Sequence, residues 1–205
     1  MTLTLRNTSK NEFHATENLT REAFWNLYKP GCDEHLVLNQ LRKSKSYVNQ
    51  LDNVAIDEGN IVGHIISTRA LVTDSQNNAN EVLCVGPVSV HPSLQGKGIG
   101  SKLINHSISE ARKLGFKAMI LFGDPAYYNR FGFVNAQQYK ITTKEGNNFD
   151  PFMVLELQEH ALDNVTGRFF EDEAFVTTEE NLVEFEKKFP PKEKGKARIE
   201  IPDIK

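Results

Sequence analysis

The sequence predicts an α/β fold on three observations. A strand, a glycine-rich turn, an amphipathic helix and a wholly apolar second strand follow one another between residues 82 and 122, the order of a βαβ unit. Ahead of them, two apolar runs flank Asp57-Glu58-Gly59-Asn60, which is the turn chemistry of a hairpin. The 205 residues are 39% hydrophobic and 25% charged, a balance that suits a single packed domain over residues 1–205 and not a disordered chain.

Taken in order, Leu3 and Leu5 alternate with polar neighbours and read as a short opening strand. Residues 18–28 place Leu19, Ala23, Phe24 and Leu27 near one helical face, and residues 34–41 repeat the pattern with Leu38 and Leu41. Val54–Ile56 and Ile61–Ile66 form the hairpin, which continues as a meander through Leu71 and Val72, and residues 74–80 have the composition of a loop. Residues 82–90 are an apolar strand interrupted by Gly86-Pro87. Proline cannot donate to a sheet ladder, so it marks an edge, a bulge or a place where pairing splays apart.

From Ser101 to Leu114, the residues Leu103, Ile104, Ile108, Ala111 and Leu114 recur at helical spacing, and Gly115 stands where a helix ends. Ala118–Phe122 is a short apolar run of the kind buried on both sheet faces. Asp124-Pro125 offers an N-cap and a first-turn proline for a short helix that Gly132 stops. A further strand is expected over residues 152–157 and a terminal amphipathic helix over 179–189. Residues 158–205 form a C-terminal extension, and 190–205 are expected to be extended or disordered.

A formal net charge of -3 provides no field for a phosphate backbone, so nucleic acid is excluded as a partner. No apolar run approaches the ~20 residues that span a bilayer, and the opening residues lack the basic-then-apolar pattern of a secretory signal. A cytoplasmic protein with no membrane partner is expected. Cys32 and Cys84 have neither disulfide-framework nor metal-site spacing and are read as free thiols, with no metal.

A glycine-rich turn between strand and helix cradles phosphate, because small residues let main-chain N–H groups approach the anion at a helix N-terminus. The turn here is Gln95-Gly-Lys-Gly-Ile-Gly100. A dinucleotide loop would need glycine where Ser101 stands, and a nucleoside-triphosphate loop would need Ser or Thr where Gly98 stands. The pattern that fits is Gln-x-x-Gly-x-Gly, preceded by Val85-Gly-Pro-Val-Ser-Val90 and followed by Asp124-Pro-Ala-Tyr-Tyr-Asn-Arg-Phe-Gly-Phe133.

These two segments together resemble the signatures of the GNAT N-acetyltransferase superfamily, in its order and spacing, with a cofactor-binding core over residues 82–133. The stretch is most similar to a subgroup of small bacterial-type predicted acetyltransferases. The resemblance implies a mixed, twisted sheet of six to seven strands flanked by helices and splayed at the central strand. It implies acetyl-CoA as cosubstrate, no metal, and transfer of acetyl to a primary amine of a small molecule without a covalent enzyme intermediate. Main-chain groups of Gln95, Gly96, Lys97, Gly98, Ile99, Gly100 and Ser101 would hold the pyrophosphate, and the strand edge at Val88, Ser89 and Val90 would pair with the pantetheine arm. Tyr128 aligns with the family's proton donor, and its neighbour Tyr127 points about 100° away on a helix.

The general base is where the pattern departs from the family. Some members carry a glutamate on the strand ahead of the splay, where this chain has Cys84. A water chain or a residue of the N-terminal half such as Glu34 is expected instead, while His64 and His91 are read as structural or solvated. Without a marked base, a non-catalytic acyl-CoA sensor is the alternative, as is an acetyltransferase of protein or peptide amino groups. A homodimer is compatible with the family.

Overall fold

The computed structural model describes residues 2–199. Strand β1 (Thr4–Asn7) leads into helices α1 (Phe13–Phe24) and α2 (Glu34–Leu41), then the long strands β2 (Tyr47–Asp57), β3 (Asn60–Thr73) and β4 (Ala79–Val90). Helix α3 (Ile99–Lys113), strand β5 (Ala118–Phe122) and the one-turn helix α4 (Pro125–Tyr128) complete the predicted βαβ region. The short strands β6 (Val134–Asn135) and β7 (Ile141–Thr142) follow, then β8 (Phe152–Glu156), β9 (Gly167–Phe170) and α5 (Glu179–Glu186).

Among the described residues, nine strands form one sheet in the order β1-β2-β3-β4-β5-β8-β6, with β9 lying beside β3 past the end of β2 and β7 beside β9. The count exceeds the expected six to seven because β6 and β7 have two residues each, too few to leave an alternation in the sequence. β4 and β5 are parallel, as the α3 crossover requires, and the pairs on either side of them are antiparallel.

The interruption at Gly86-Pro87 is a bulge. Ile65 pairs with Val88 and Ser67 with Val85, so two residues of β4 oppose Ile66 alone. Glycine is required there, since a Cβ on Gly86 would stand 2.8 Å from Ile66 Cγ2 and 3.1 Å from Leu41 Cδ1. β4 pairs with β5 only through Leu83 with Met119 and Cys84 with Ile120, and past Cys84 the two strands part.

Leu103, Ile104, Ile108 and Ala111 of α3 are buried against Ile65, Leu83 and Met119 on one sheet face. Leu38 and Leu41 of α2 close over Ile66 on the other. α1 begins five residues before the expected start, because the Ser9 N–H bonds the Glu12 carboxylate (2.9 Å) and a 3-10 turn runs straight into it. Ahead of Leu19 the helix buries Thr16 and Glu17 rather than apolar residues, which hid its first turns from hydrophobic periodicity. Trp25 leaves helical geometry and Asn26 turns back at φ 55°, ending the helix short of Tyr28.

Beneath the hairpin, Asp52 and His64 are fully buried. Asp52 accepts from Arg42 (2.8 Å) and Tyr47 (3.0 Å) and contacts His64 Nε2 (2.8 Å), so its charge is compensated from three sides. The C-terminal extension closes on the first helices: Arg21 pairs with Glu186 (2.7 Å), and Phe185 and Phe189 pack on Leu36. Residues 190–199 have no helix or strand but are tied down, with Trp25 Nε1 donating to Glu193 O (2.9 Å) and Arg198 N to Asn26 O (2.9 Å). The expectation for residues 200–205 falls outside the described residues. Among those described, no helix is long and apolar enough to cross a membrane.

Candidate active site

The opening between β4 and β5 is a gap left by the bulge, and it exposes one edge of β4. His91 N–H donates to Val62 O (2.9 Å), in register with Val90 opposite Gly63. By antiparallel alternation, the N–H and C=O of Ser89 then face His64 on β3, while those of Val88 and Val90 face the gap. Gln95 Nε2 reaches back to Val90 O (3.2 Å) and ties the glycine turn to the strand end.

Gly96 and Gly98 both sit at positive φ, 76° and 81°, the left-handed geometry that turns successive amides toward one point. Gly98 caps α3, and Lys102 N–H is the first amide of the helix to find a carbonyl, Gly98 O at 3.1 Å. The amides of Ile99, Gly100 and Ser101 therefore remain open at the positive end of the helix dipole. They line a cleft of about 350 Å³ together with Val88, Val90 and Tyr127. This donor set fits a diphosphate at the turn and an extended chain along β4.

Two residues expected in that set stand elsewhere. The Ser89 side chain is buried on the opposite sheet face, bonded to Thr20 (2.8 Å), and its main chain belongs to the β3 ladder, because a strand sends successive residues to opposite sides. Lys97 is exposed at the tip of the turn and does not line the cleft. Of the two histidines set aside from the sequence, His64 is locked in the buried ion network, and His91 Nδ1 meets Ser93 Oγ (2.9 Å).

Tyr127 and Tyr128 both stand at the far end of this cleft. Asp124 caps α4 by accepting from Ala126 N (2.9 Å), so the one-turn helix delivers both rings together. They meet edge to face with centroids 5.1 Å apart. The Tyr128 ring lies over Gly123, where a Cβ would come within 2.7 Å of its Cδ2. Tyr127 reaches the glycine turn instead, its hydroxyl 2.9 Å from where a Cβ on Gly100 would be. The two rings thus divide the junction, and neither turns away from it. Burial pushes the Tyr128 hydroxyl well above its ordinary pKa, so it is protonated throughout the neutral range.

Past the tyrosines, a second cavity of about 470 Å³ shares Val88, Tyr127 and Tyr128 with the first. α1 and α2 supply Phe24 and Glu34, β4 supplies Cys84, and the segment after β9 supplies Glu171 and Phe175. Glu34, named from the sequence, lines this cavity, and burial raises its carboxyl above the usual value. Glu171 went unnoticed in the sequence. Its Oε2 lies 3.9 Å from Cys84 Sγ although the two are 87 residues apart, and desolvation also raises its carboxyl. No local pattern marks it, since only the pairing of β9 with β3 brings it there. Burial pushes the Cys84 thiol far up as well, so it stays a neutral apolar wall.

Solved structures share this architecture. That of a GNAT family N-acetyltransferase, YhbS, from Escherichia coli in complex with CoA superposes with a TM-score of 0.74 at 24% identity, covering 84% of this chain and 91% of that one. A GNAT family acetyltransferase from Brucella melitensis in complex with acetyl-CoA gives a TM-score of 0.69 at 27% identity, over 85% of this chain and 99% of that one. The fold is therefore the GNAT fold.

The sequence agrees. The family model described as Acetyltransferase (GNAT) family matches residues 13–133, and the chain belongs to that family. Among curated relatives, the uncharacterized N-acetyltransferase YhbS of Escherichia coli strain K12 is 28% identical over 111 residues, 54% of this chain. The chain spans 65% of the length of that relative.

Proposed function

We propose that this protein transfers the acetyl group of acetyl-CoA to a primary amine of a small molecule. The observation that carries the reading is the contiguity of two sites: an amide-lined cleft with a free strand edge, and a carboxylate-bearing cavity, meeting at Tyr128 and Val88. The relatives crystallised with CoA and acetyl-CoA support the same ligand here.

In this reading, the amides of Ile99, Gly100 and Ser101 hold the pyrophosphate and the Val88 and Val90 edge pairs with the pantetheine arm as an added strand. The Val88 N–H faces the thioester oxygen and steadies the negative charge that develops on it, an effect of about 3 kcal/mol per donor. The amine must arrive neutral to attack, so a carboxylate of the second cavity takes its ammonium proton. Tyr128 protonates the departing thiolate. The presence of Glu34 and Glu171 favours catalysis over a sensor that binds without turnover, because a base is at hand after all. Two free, buried thiols suit a reducing compartment such as the cytoplasm.

The test is calorimetric titration with CoA followed by thiol release from acetyl-CoA over a panel of amines. Micromolar CoA binding with amine-dependent thiol release is expected. A protein with no affinity for CoA refutes the assignment.

A further inference from the structure

Resting on that reading, the geometry points to the kind of amine: we propose that the acceptor is a hydrophobic primary amine without a carboxylate, and that Glu171 receives its ammonium group and takes the proton. Among the described residues, no Lys, Arg or His lines the second cavity, whereas Glu34, Asp124 and Glu171 line it from three different segments. An acceptor bearing its own carboxylate would meet three acidic side chains and no cationic partner among those lining residues. The remaining walls near the reacting centre, Phe24, Phe122 and Phe175, offer rings to an apolar body.

Glu171 is held for this position by its neighbour. Asp172 accepts from Ser44 Oγ (2.6 Å) and caps the turn 173–175 through Ala174 N (2.8 Å), which anchors the segment to the end of α2. Glu171 is thereby presented beside Cys84, the last residue of β4 paired before the strands part. Lys144 and Glu145 flank it from the 143–147 loop with opposite effects, and burial outweighs the lysine, leaving a carboxyl that binds protons more readily than a solvated glutamate.

The step balances as follows. Two protons leave the ammonium nitrogen. The first passes to Glu171 and on to solvent, freeing the lone pair that forms the C–N bond as the C–S bond breaks. The second leaves the nitrogen after attack, and the thiolate acquires one from Tyr128, which is reprotonated in turn.

Matched pairs test this: phenethylamine against phenylalanine, tyramine against tyrosine, and tryptamine against tryptophan, each assayed by thiol release, with CoA affinity measured separately. At least tenfold higher kcat/KM is expected for each amine over its amino acid. Glu171→Gln is expected to lower kcat at least tenfold and remove the acid limb of the pH–rate profile, with CoA affinity and melting temperature unchanged. Preference for the amino acids, turnover of no amine in the panel by a CoA-binding protein, or an unchanged pH profile in Glu171→Gln each overturns the inference. Loss of CoA binding by the wild type would instead overturn the acetyltransferase reading beneath it.

Discussion

Replacing Gly100 by alanine should stabilise the protein while crippling its cofactor site. Gly100 lies in the first turn of α3 with an ordinary helical φ, so nothing in its backbone demands glycine. In a helix, alanine is favoured over glycine by about 1 kcal/mol, and at the N-terminal turn somewhat less, which for a chain of this size raises Tm by roughly 2–4 °C. The new Cβ would project into the cleft, 2.9 Å from the Tyr127 hydroxyl and 3.7 Å from Val90 Cγ2. A methyl there keeps an oxyanion from closing on the Gly100 amide. A hydrogen bond to a charged group contributes about 1.5–3 kcal/mol, so the expected loss of CoA affinity is roughly 10- to 150-fold. Calorimetric titration and a thermal melt read the two effects independently. Unchanged CoA affinity would show that the turn does not grip the diphosphate, and a falling Tm would show that displacing the Tyr127 hydroxyl, 2.9 Å from the new Cβ, costs more than the helical preference for alanine returns.

Tyr128→Phe should lower kcat about 10²-fold through loss of the proton donor, with CoA affinity nearly unchanged, as measured by thiol release and calorimetry. Asp52→Asn removes the carboxylate that buried His64 and Arg42 share, leaving Arg42 only Glu17 at 3.7 Å; a cost of about 3–5 kcal/mol is expected, seen as a Tm drop of roughly 6–20 °C. The His35 imidazole, buried and close to Arg21, has its pKa lowered from 6.5 to about 4 against the opposing pull of Glu186. Between those values the unfolded chain binds a proton that the folded chain refuses, so stability rises with pH from about 4 to 6.5. Denaturant titrations across that window should show a shallower pH slope in His35→Gln than in the wild type, and equal slopes would refute the contribution.

Much of the cofactor half was legible because its determinants are local. The α3 helix, the left-handed glycines of the turn, the Asp124 cap and the proline in β4 each act within a few residues, and each leaves a pattern of residue types at fixed spacing. The same locality explains why Val88 and Val90 could be named as an edge. It also explains the misplacement of Ser89, since residue types alone did not fix which side of the strand faces the gap. The half around the second cavity was largely illegible. α1 turns inward a face of Thr16, Glu17, Thr20 and Arg21 whose polarity is satisfied by distant partners, among them Ser89 and Glu186, so its amphipathic signal began late.

The sequence by itself determined an α/β chain with a glycine-rich turn at a helix N-terminus, a splayed strand and a tyrosine placed after the next strand. Those features follow from backbone constraints of Gly and Pro and from apolar periodicity, both of which are written in consecutive residues. Only the tertiary structure decided that Glu171 stands beside Cys84, that Tyr127 and Tyr128 share one junction, and that the extension packs onto the first helices. Those are contacts between residues far apart in the chain, set by which strands pair and which faces bury, and no local pattern encodes their distances.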